Sequence, residues 1–136
     1  SGAVAEAGLL LGRPYSMDGT VVRGRGIGSQ LAARTANVET QNECIPANGV
    51  YLAESAVGEK TFRSVVSVGD NPTFHQAPFA IEAHFIDAHD DVMGERITLV
   101  FLDRMREQIA FASIDELKAR IAKDIERARA MHAARR

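Results

Sequence analysis

The sequence predicts a mainly β domain, a small antiparallel barrel or sandwich, followed by one C-terminal helix. Short β-rich runs fill residues 18–101 and are separated by stretches containing Gly, Pro, Asn or Asp. One of these runs alternates strictly, with Phe79, Ile81, Ala83 and Phe85 set against Ala80, Glu82, His84 and Ile86. Beyond residue 111 the apolar spacing changes from two to three and four, which is the period of a helix. With 136 residues the chain fits one domain, large enough to bury a core without metals or disulfides.

The elements follow in order. Residues 1–12, "SGAVAEAGLLLG", are small and apolar and stop at Arg13-Pro14, where proline disfavours helix in the residue before it. They read as the end of a helix or a linker, with the domain proper over 13–136. The β-rich runs are "GTVVRG", "GVYLAESA", "TFRSVVSVG", "FAIEAHFID" and "RITLVFLD". "VGEK" (57–60) is placed to join the second and third as a hairpin, and "AHDDVMG" (88–94) the fourth and fifth, so that consecutive strands pair antiparallel. "VGDNPTF" (68–74), with Gly69 and Asn71-Pro72, reads as a loop with Phe74 folded back over apolar surface. In the helix, Ser113 and Glu116 have the spacing of a capping box, and Ile114, Leu117, Ile121, Ile125 and Ala128 form one apolar stripe. Lys118, Arg120, Lys123, Arg127 and Arg129 fall mainly off that stripe and are expected on a solvated surface.

Composition narrows the function. A formal net charge of −2 disfavours a dedicated nucleic-acid binder, whose affinity rests on cations that neutralise phosphate. A single cysteine, Cys44, allows no intrachain disulfide, so the cytoplasm is the expected compartment. Apolar runs are far shorter than the ~20 residues needed to span a bilayer, and no signal peptide is evident, so no membrane association is expected.

The stretch "RGRGIGSQLAARTAN" (23–37) concentrates three glycines and three arginines. Gly24, Gly26 and Gly28 miss the dinucleotide pattern because residue 29 is Ser, and no Gly-Lys-Ser/Thr follows at P-loop spacing. Glycines nevertheless let successive N–H groups converge on an anion, with Arg23 and Arg25 adding charge. A plain mobile loop is the alternative. Thr35 and Asn37 supply hydroxyl and amide oxygens of the kind a Mg²⁺–phosphate site uses, although both residue types also bond their own backbone. Glu82, a carboxylate inside an apolar strand, has to be solvated, paired or functional. The four histidines lack zinc-site spacing, and Asp87, Asp90 and Asp91 lack the EF-hand pattern.

Taken together, "LLGRPYSMDGTVVRGRGIG", "TAN", "PANGVY", "SVGDNPTF", "IEAHFID", "MGERITLVFLDRMR" and "FASIDELKARIAKDI" resemble the riboflavin kinase domain of bacterial bifunctional FAD synthetases, in order and spacing from about Leu10 to Arg129. The resemblance implies a six-stranded antiparallel Greek-key barrel with a C-terminal helix against it. It implies phosphorylation of riboflavin by ATP to give FMN, with Mg²⁺ bound at Thr35 and Asn37. Gly24, Gly26 and Gly28 would serve the ATP phosphates together with Thr35 and Asn37, Glu82 would be the catalytic base, and Arg106 and Phe111 would lie at the flavin. It also implies an FMN adenylyltransferase domain N-terminal to this one in a parent protein, with residues 1–12 as the end of the joining helix. That activity is not expected here, where no HxGH motif occurs.

One segment departs from the family. Where such kinases usually read Leu-Gly-Phe-Pro-Thr-Ala-Asn, this chain has Leu31-Ala32-Ala33-Arg34-Thr35-Ala36-Asn37, and Gln108 stands where glutamate is usual. Losing the proline frees φ and adds an N–H, and Arg34 adds a cation beside the expected metal ligands. Reduced turnover, or a flavin- or nucleotide-binding module without turnover, is therefore an alternative reading. A third is a small barrel that binds RNA or a protein partner through the arginines of 23–34, against which the acidity and the Glu82 strand both count.

Overall fold

The computed structural model describes residues 15–22, 35–41, 45–71, 77–86, 88, 91–107 and 113–135. Six strands, β1 (Tyr15–Val22), β2 (Thr35–Glu39), β3 (Gly49–Val57), β4 (Lys60–Asn71), β5 (Ala77–Phe85) and β6 (Arg96–Arg106), precede one helix, α1 (Ile114–Ala134). The strands close into a barrel in the order β1-β2-β5-β4-β3-β6. Every neighbouring pair is antiparallel. The meander β3-β4-β5 is flanked by β6 beside β3 and by β2 beside β5, which is Greek-key order. Among the described residues, closure gives every strand a partner on both sides.

Two expectations about the strands are corrected. The turn at Gly58-Glu59 joins β3 to β4 as a hairpin, with Val57 opposite Lys60. Residues 88–94, in contrast, do not make a hairpin: β5 and β6 are not neighbours, and β6 lies between β3 and β1. The reason is the side chain in the middle of the connection. Val92 is buried in the barrel core, and Gly94 N–H donates to Val21 O while Val21 N–H donates to Glu95 O, both at 2.9 Å. The connection thus crosses to β1 instead of turning back on β5. The second correction concerns "VGDNPTF", whose first four residues belong to β4; Phe74 lies outside the described residues.

β2 escapes the residue pattern because it is short and its inward side chains are modest. Ala36 and Val38 are buried, whereas Asn37 and Glu39 face outward. Inside the barrel they join Met17, Val21, Tyr51, Val66, Val68, Ile81, Ala83, Phe85, Leu99 and Phe101. Tyr51 and Phe101 meet edge to face at 5.3 Å, and Phe62 stacks on Phe85 at 4.6 Å. The alternation expected in β5 holds, since Ile81, Ala83 and Phe85 fill the interior and Glu82 and His84 lie on the outer face.

α1 covers part of that outer face. Ser113 caps it, accepting from Glu116 N–H at 3.2 Å. Leu117, Ile121 and Ala128 are buried, and a second apolar cluster joins Ala128, Ile125 and Met131 to Val50, Leu52, Val65, Leu102 and Met105. The helix therefore lies over β3 and β4. Its basic residues lie off the buried stripe as expected, Lys118, Lys123 and Arg127 exposed and Arg120 and Arg129 partly covered, and two of them also reach protein oxygens. Arg127 Nη1 donates to Met105 O at 3.0 Å, and Arg120 Nε lies 3.5 Å from a carboxylate oxygen of Asp124.

Gly69 shows how tightly the end of β4 is built. Its φ is +131°, and a Cβ there would stand 2.6 Å from Asn48 Cγ. Gly69→Ala combines a left-handed backbone with that clash and is expected to destabilise the fold by about 1–3 kcal/mol. A fall in the urea midpoint measures it; an unchanged midpoint contradicts the assigned backbone.

Candidate active site

The site residues are brought together by strand register. On β2, Asn37 stands opposite Val22 of β1 on one side and opposite Glu82 of β5 on the other. Glu82 in turn faces Ser67 of β4, Ser67 faces Val50 of β3, and Val50 faces Arg106 of β6. Directly opposed residues share a face. Asn37 and Glu82, 45 positions apart in sequence, are therefore cross-strand neighbours on the outside of the barrel. In the adjacent row Thr35 stands opposite His84, and His84 opposite Val65.

The environment of this face changes across it. Toward β3 it is sealed by α1; toward β2 the side chains of Asn37 and Glu82 are only partly covered. Burial raises the Glu82 carboxyl above the usual carboxylate range, because desolvation disfavours its charged form. His84 is fully buried. Desolvation lowers its imidazole to about 4, with the Arg106 charge pushing the same way and the Asp124 charge opposing. The ring is neutral at pH 7.

Arg106 and Asp124 form the charged floor beside these groups. Arg106 Nε donates to Asp124 Oδ1 and Oδ2 at 3.0 and 3.1 Å, Nη2 donates to Oδ2 at 2.6 Å, and Nη1 donates to Glu107 O at 2.9 Å. Asp124 is 4% exposed. Asp124 is absent from the residues expected at the site, yet the sequence carries a signal for it. Leu117, Ile121, Asp124 and Ala128 step by four, three and four, so a carboxylate sits inside the buried stripe, where it requires a partner.

Gly24, Gly26, Gly28 and Phe111 lie outside the described residues. The ends of the glycine stretch are nonetheless anchored: Val22 precedes it and Thr35 follows it, and Val22 and Asn37 are paired. Farther along β1 and β2, Asp18, Thr20, Glu39, Gln41 and Arg96 line a polar cavity of about 500 Å³. Among the described residues, no three His, Cys, Asp or Glu side chains cluster as a metal site. No described helix is long and apolar enough to cross a membrane.

This geometry coincides with a sequence match. The family model for riboflavin kinase, Flavokinase, matches residues 11–132. The chain belongs to the riboflavin kinase family. Curated relatives agree: the bifunctional riboflavin kinase/FMN adenylyltransferase of Escherichia coli (strain K12) is 38% identical over 123 residues, covering 90% of this chain and 39% of that protein. The proteins of the same description from Pseudomonas fluorescens and Bacillus subtilis (strain 168) are 36% and 34% identical, each covering 91% of this chain. The chain spans about two fifths of the length of these relatives, 39–40%.

Among solved structures, a chain described as a macrolide-efflux protein from Streptococcus pneumoniae superposes with a TM-score of 0.84 at 35% identity. It covers 95% of this chain and 43% of its own. Riboflavin kinase from Trypanosoma brucei superposes at 0.61 with 24% identity, over 85% of this chain and 75% of its own, and shares the fold. The six-stranded barrel with its terminal helix is thus the riboflavin kinase architecture. The readings as an RNA-binding or protein-binding barrel gain nothing from these matches.

The raised Glu82 carboxyl has a consequence for stability. The folded chain holds that proton more tightly than the unfolded chain does, so ionised Glu82 opposes folding, and increasingly as pH rises from the ordinary glutamate value of about 4.3 through the raised one. Glu82→Gln is expected to melt at a higher temperature than the parent at pH 7, with the difference closing as pH falls to about 4. A lower melting temperature for the variant at pH 7 contradicts this assignment.

Proposed function

We propose that this domain transfers the γ-phosphoryl group of ATP to the 5′-hydroxyl of riboflavin, giving FMN and ADP, with Glu82 taking the hydroxyl proton. The observation that carries the reading is the pairing of Glu82 with Asn37 on the partly open outer face of a riboflavin kinase barrel. Phosphoryl transfer needs an acceptor hydroxyl held in line with the phosphate, charge stabilisation on the phosphate oxygens, and a group for the departing proton.

Glu82 suits the last role. A carboxylate near its usual value of about 4.3 is too weak a base to ionise an alcohol beforehand. It therefore orients the hydroxyl and accepts the proton as the new P–O bond forms and the bond to the leaving ADP oxygen breaks. Its raised affinity for protons makes it a better late acceptor than a solvated carboxylate.

Thr35 and Asn37 hold positions two apart on β2, opposite His84 and Glu82 respectively across the ladder. Their hydroxyl and amide are hard oxygen donors, and Mg²⁺ in kinases takes few protein ligands and several from phosphate and water. These residues fit a Mg²⁺ carried by ATP. The ion, when bound, would neutralise charge on the β- and γ-phosphate oxygens. The stretch with Gly24, Gly26 and Gly28 runs in sequence between the paired strands β1 and β2, and in this reading its N–H groups serve those phosphates. Phe111, five residues beyond Arg106 in sequence, is taken with the end of β6 as the flavin side, as the family resemblance implies. The FMN adenylyltransferase named in the relatives belongs to a second domain of the parent protein in this reading.

Ala33 and Arg34, in place of the family's Phe and Pro, bear on rate. In sequence they directly precede β2, and replacing Pro by Arg removes a fixed φ and adds a cation, changes expected to weaken the hold on Mg–ATP. Incubation with riboflavin, ATP and Mg²⁺ should yield FMN on chromatography. Glu82→Gln should lower kcat about 100-fold or more while riboflavin still binds, in line with general-base contributions. Riboflavin binding with no FMN would overturn the kinase reading in favour of a binding module, and near-normal turnover in the variant would remove Glu82 from the reaction.

A further inference from the structure

We propose that Asp124 is a positioning residue of this site, acting through Arg106 and His84 to set the outer face of β5 on which Glu82 stands; the inference rests on the kinase reading above. Asp124 comes from α1 and Arg106 from the last position of β6, so helix and barrel meet at one buried carboxylate, with the buried His84 of β5 within reach of both charges. Its two oxygens receive the Arg106 fork, and Oδ1 also lies 3.5 Å from Arg120 Nε, a buried atom with no hydrogen-bond partner among the described residues. His84 is close enough to feel both Asp124 and Arg106 and is two residues from Glu82 on the same face.

This geometry gives Arg106 a different part from direct flavin contact. Nε and one Nη2 proton are engaged by Asp124, and an Nη1 proton by Glu107 O. The planar fork that would grip a ligand already grips the helix. Without the Asp124 charge, Arg106 and Arg120 would face each other with no acceptor between them, and α1 would shift on β3 and β4, altering the buried surroundings of His84. Displacing a catalytic group by about 1 Å lowers rates by roughly 100-fold. A positioning role thus predicts a loss in kcat. Two residues acting as one unit should also give losses that do not multiply.

The test is a double-mutant cycle on FMN formation by the full chain, run well below melting temperatures established by circular dichroism. Asp124→Asn and Arg106→Gln should each lower kcat about 10-fold or more, with the KM for ATP changed less than about 3-fold, and the double variant should be no worse than the poorer single one. Arg106→Lys, which keeps the charge and loses the fork, should fall with them; if Asp124→Asn does not fold, this variant decides by the same kcat and KM readout. Multiplying losses would overturn the inference, because Arg106 would then act on substrate independently of Asp124. A lower melting temperature with unchanged kcat in Asp124→Asn would also overturn it, leaving a purely structural ion pair. Absence of FMN from the unmodified chain would remove the kinase reading and this inference together, whereas FMN from the parent with unaffected variants removes this inference alone.

Discussion

The pairing of β2 with β5 is the contact on which both the barrel and its site depend. β2 has five residues, and it alone joins β1 to β5 and closes the sheet. Asn37 is its pivot, opposed to Val22 on one side and to Glu82 on the other. Ala36 and Val38 turn into the core on either side of it. A slip of one residue would move both apolar side chains outward and Asn37 inward, so the burial that stabilises closure also sets the register of the site. Fold and chemistry share one constraint here. The expected ligands to Mg–ATP sit on the shortest strand, flanked by the glycine stretch, and the expected base sits on the strand that this closure brings alongside.

The second constraint is electrostatic. A buried ion pair contributes little to net stability once desolvation is counted, and it is strongly destabilising to break, by about 3–5 kcal/mol. The Arg106–Asp124 pair is therefore better read as fixing geometry than as adding stability: in the observed seating of α1 a carboxylate and a guanidinium meet in a bidentate fork. That seating covers β3 and β4 and leaves the Asn37–Glu82 edge partly open. His84 stays buried beside this pair, and desolvation holds its ring neutral against the opposing Asp124 charge. Glu82 is burdened by desolvation in a position where a glutamine would be more comfortable, a local conflict of the kind found where a side chain serves chemistry instead of stability.

Much of this was legible in the residues. The two-residue alternation in β5 placed Glu82 on the outer face, and the Ser113 cap and the Leu117–Ala128 stripe placed the helix, because both signals are local and depend on period alone. Pairing order was not legible. Residues 88–94 have the length of a hairpin, and only the burial of Val92 and the bonds to Val21 send the chain across the barrel end. β2 is not legible as a strand, since one Ala and one Val are too little apolar pattern to mark it. Arg106 was named from resemblance, but its engagement by Asp124 is a long-range contact that no local pattern contains. Asp124 itself was visible only as a charge in an apolar stripe, and its partner could not be named before the helix was docked.

The central claim is that Mg–ATP is held at the β2–β5 pair. Substituting Mn²⁺ for Mg²⁺ in the ATP complex and recording paramagnetic broadening in the NMR spectrum of the chain tests it most directly. The account predicts that the amide signals of Thr35, Asn37 and Glu82 broaden first, while those of Glu54 and Val100, a facing pair on β3 and β6, stay sharp. Broadening centred elsewhere, with Asn37 and Glu82 unaffected, would contradict it.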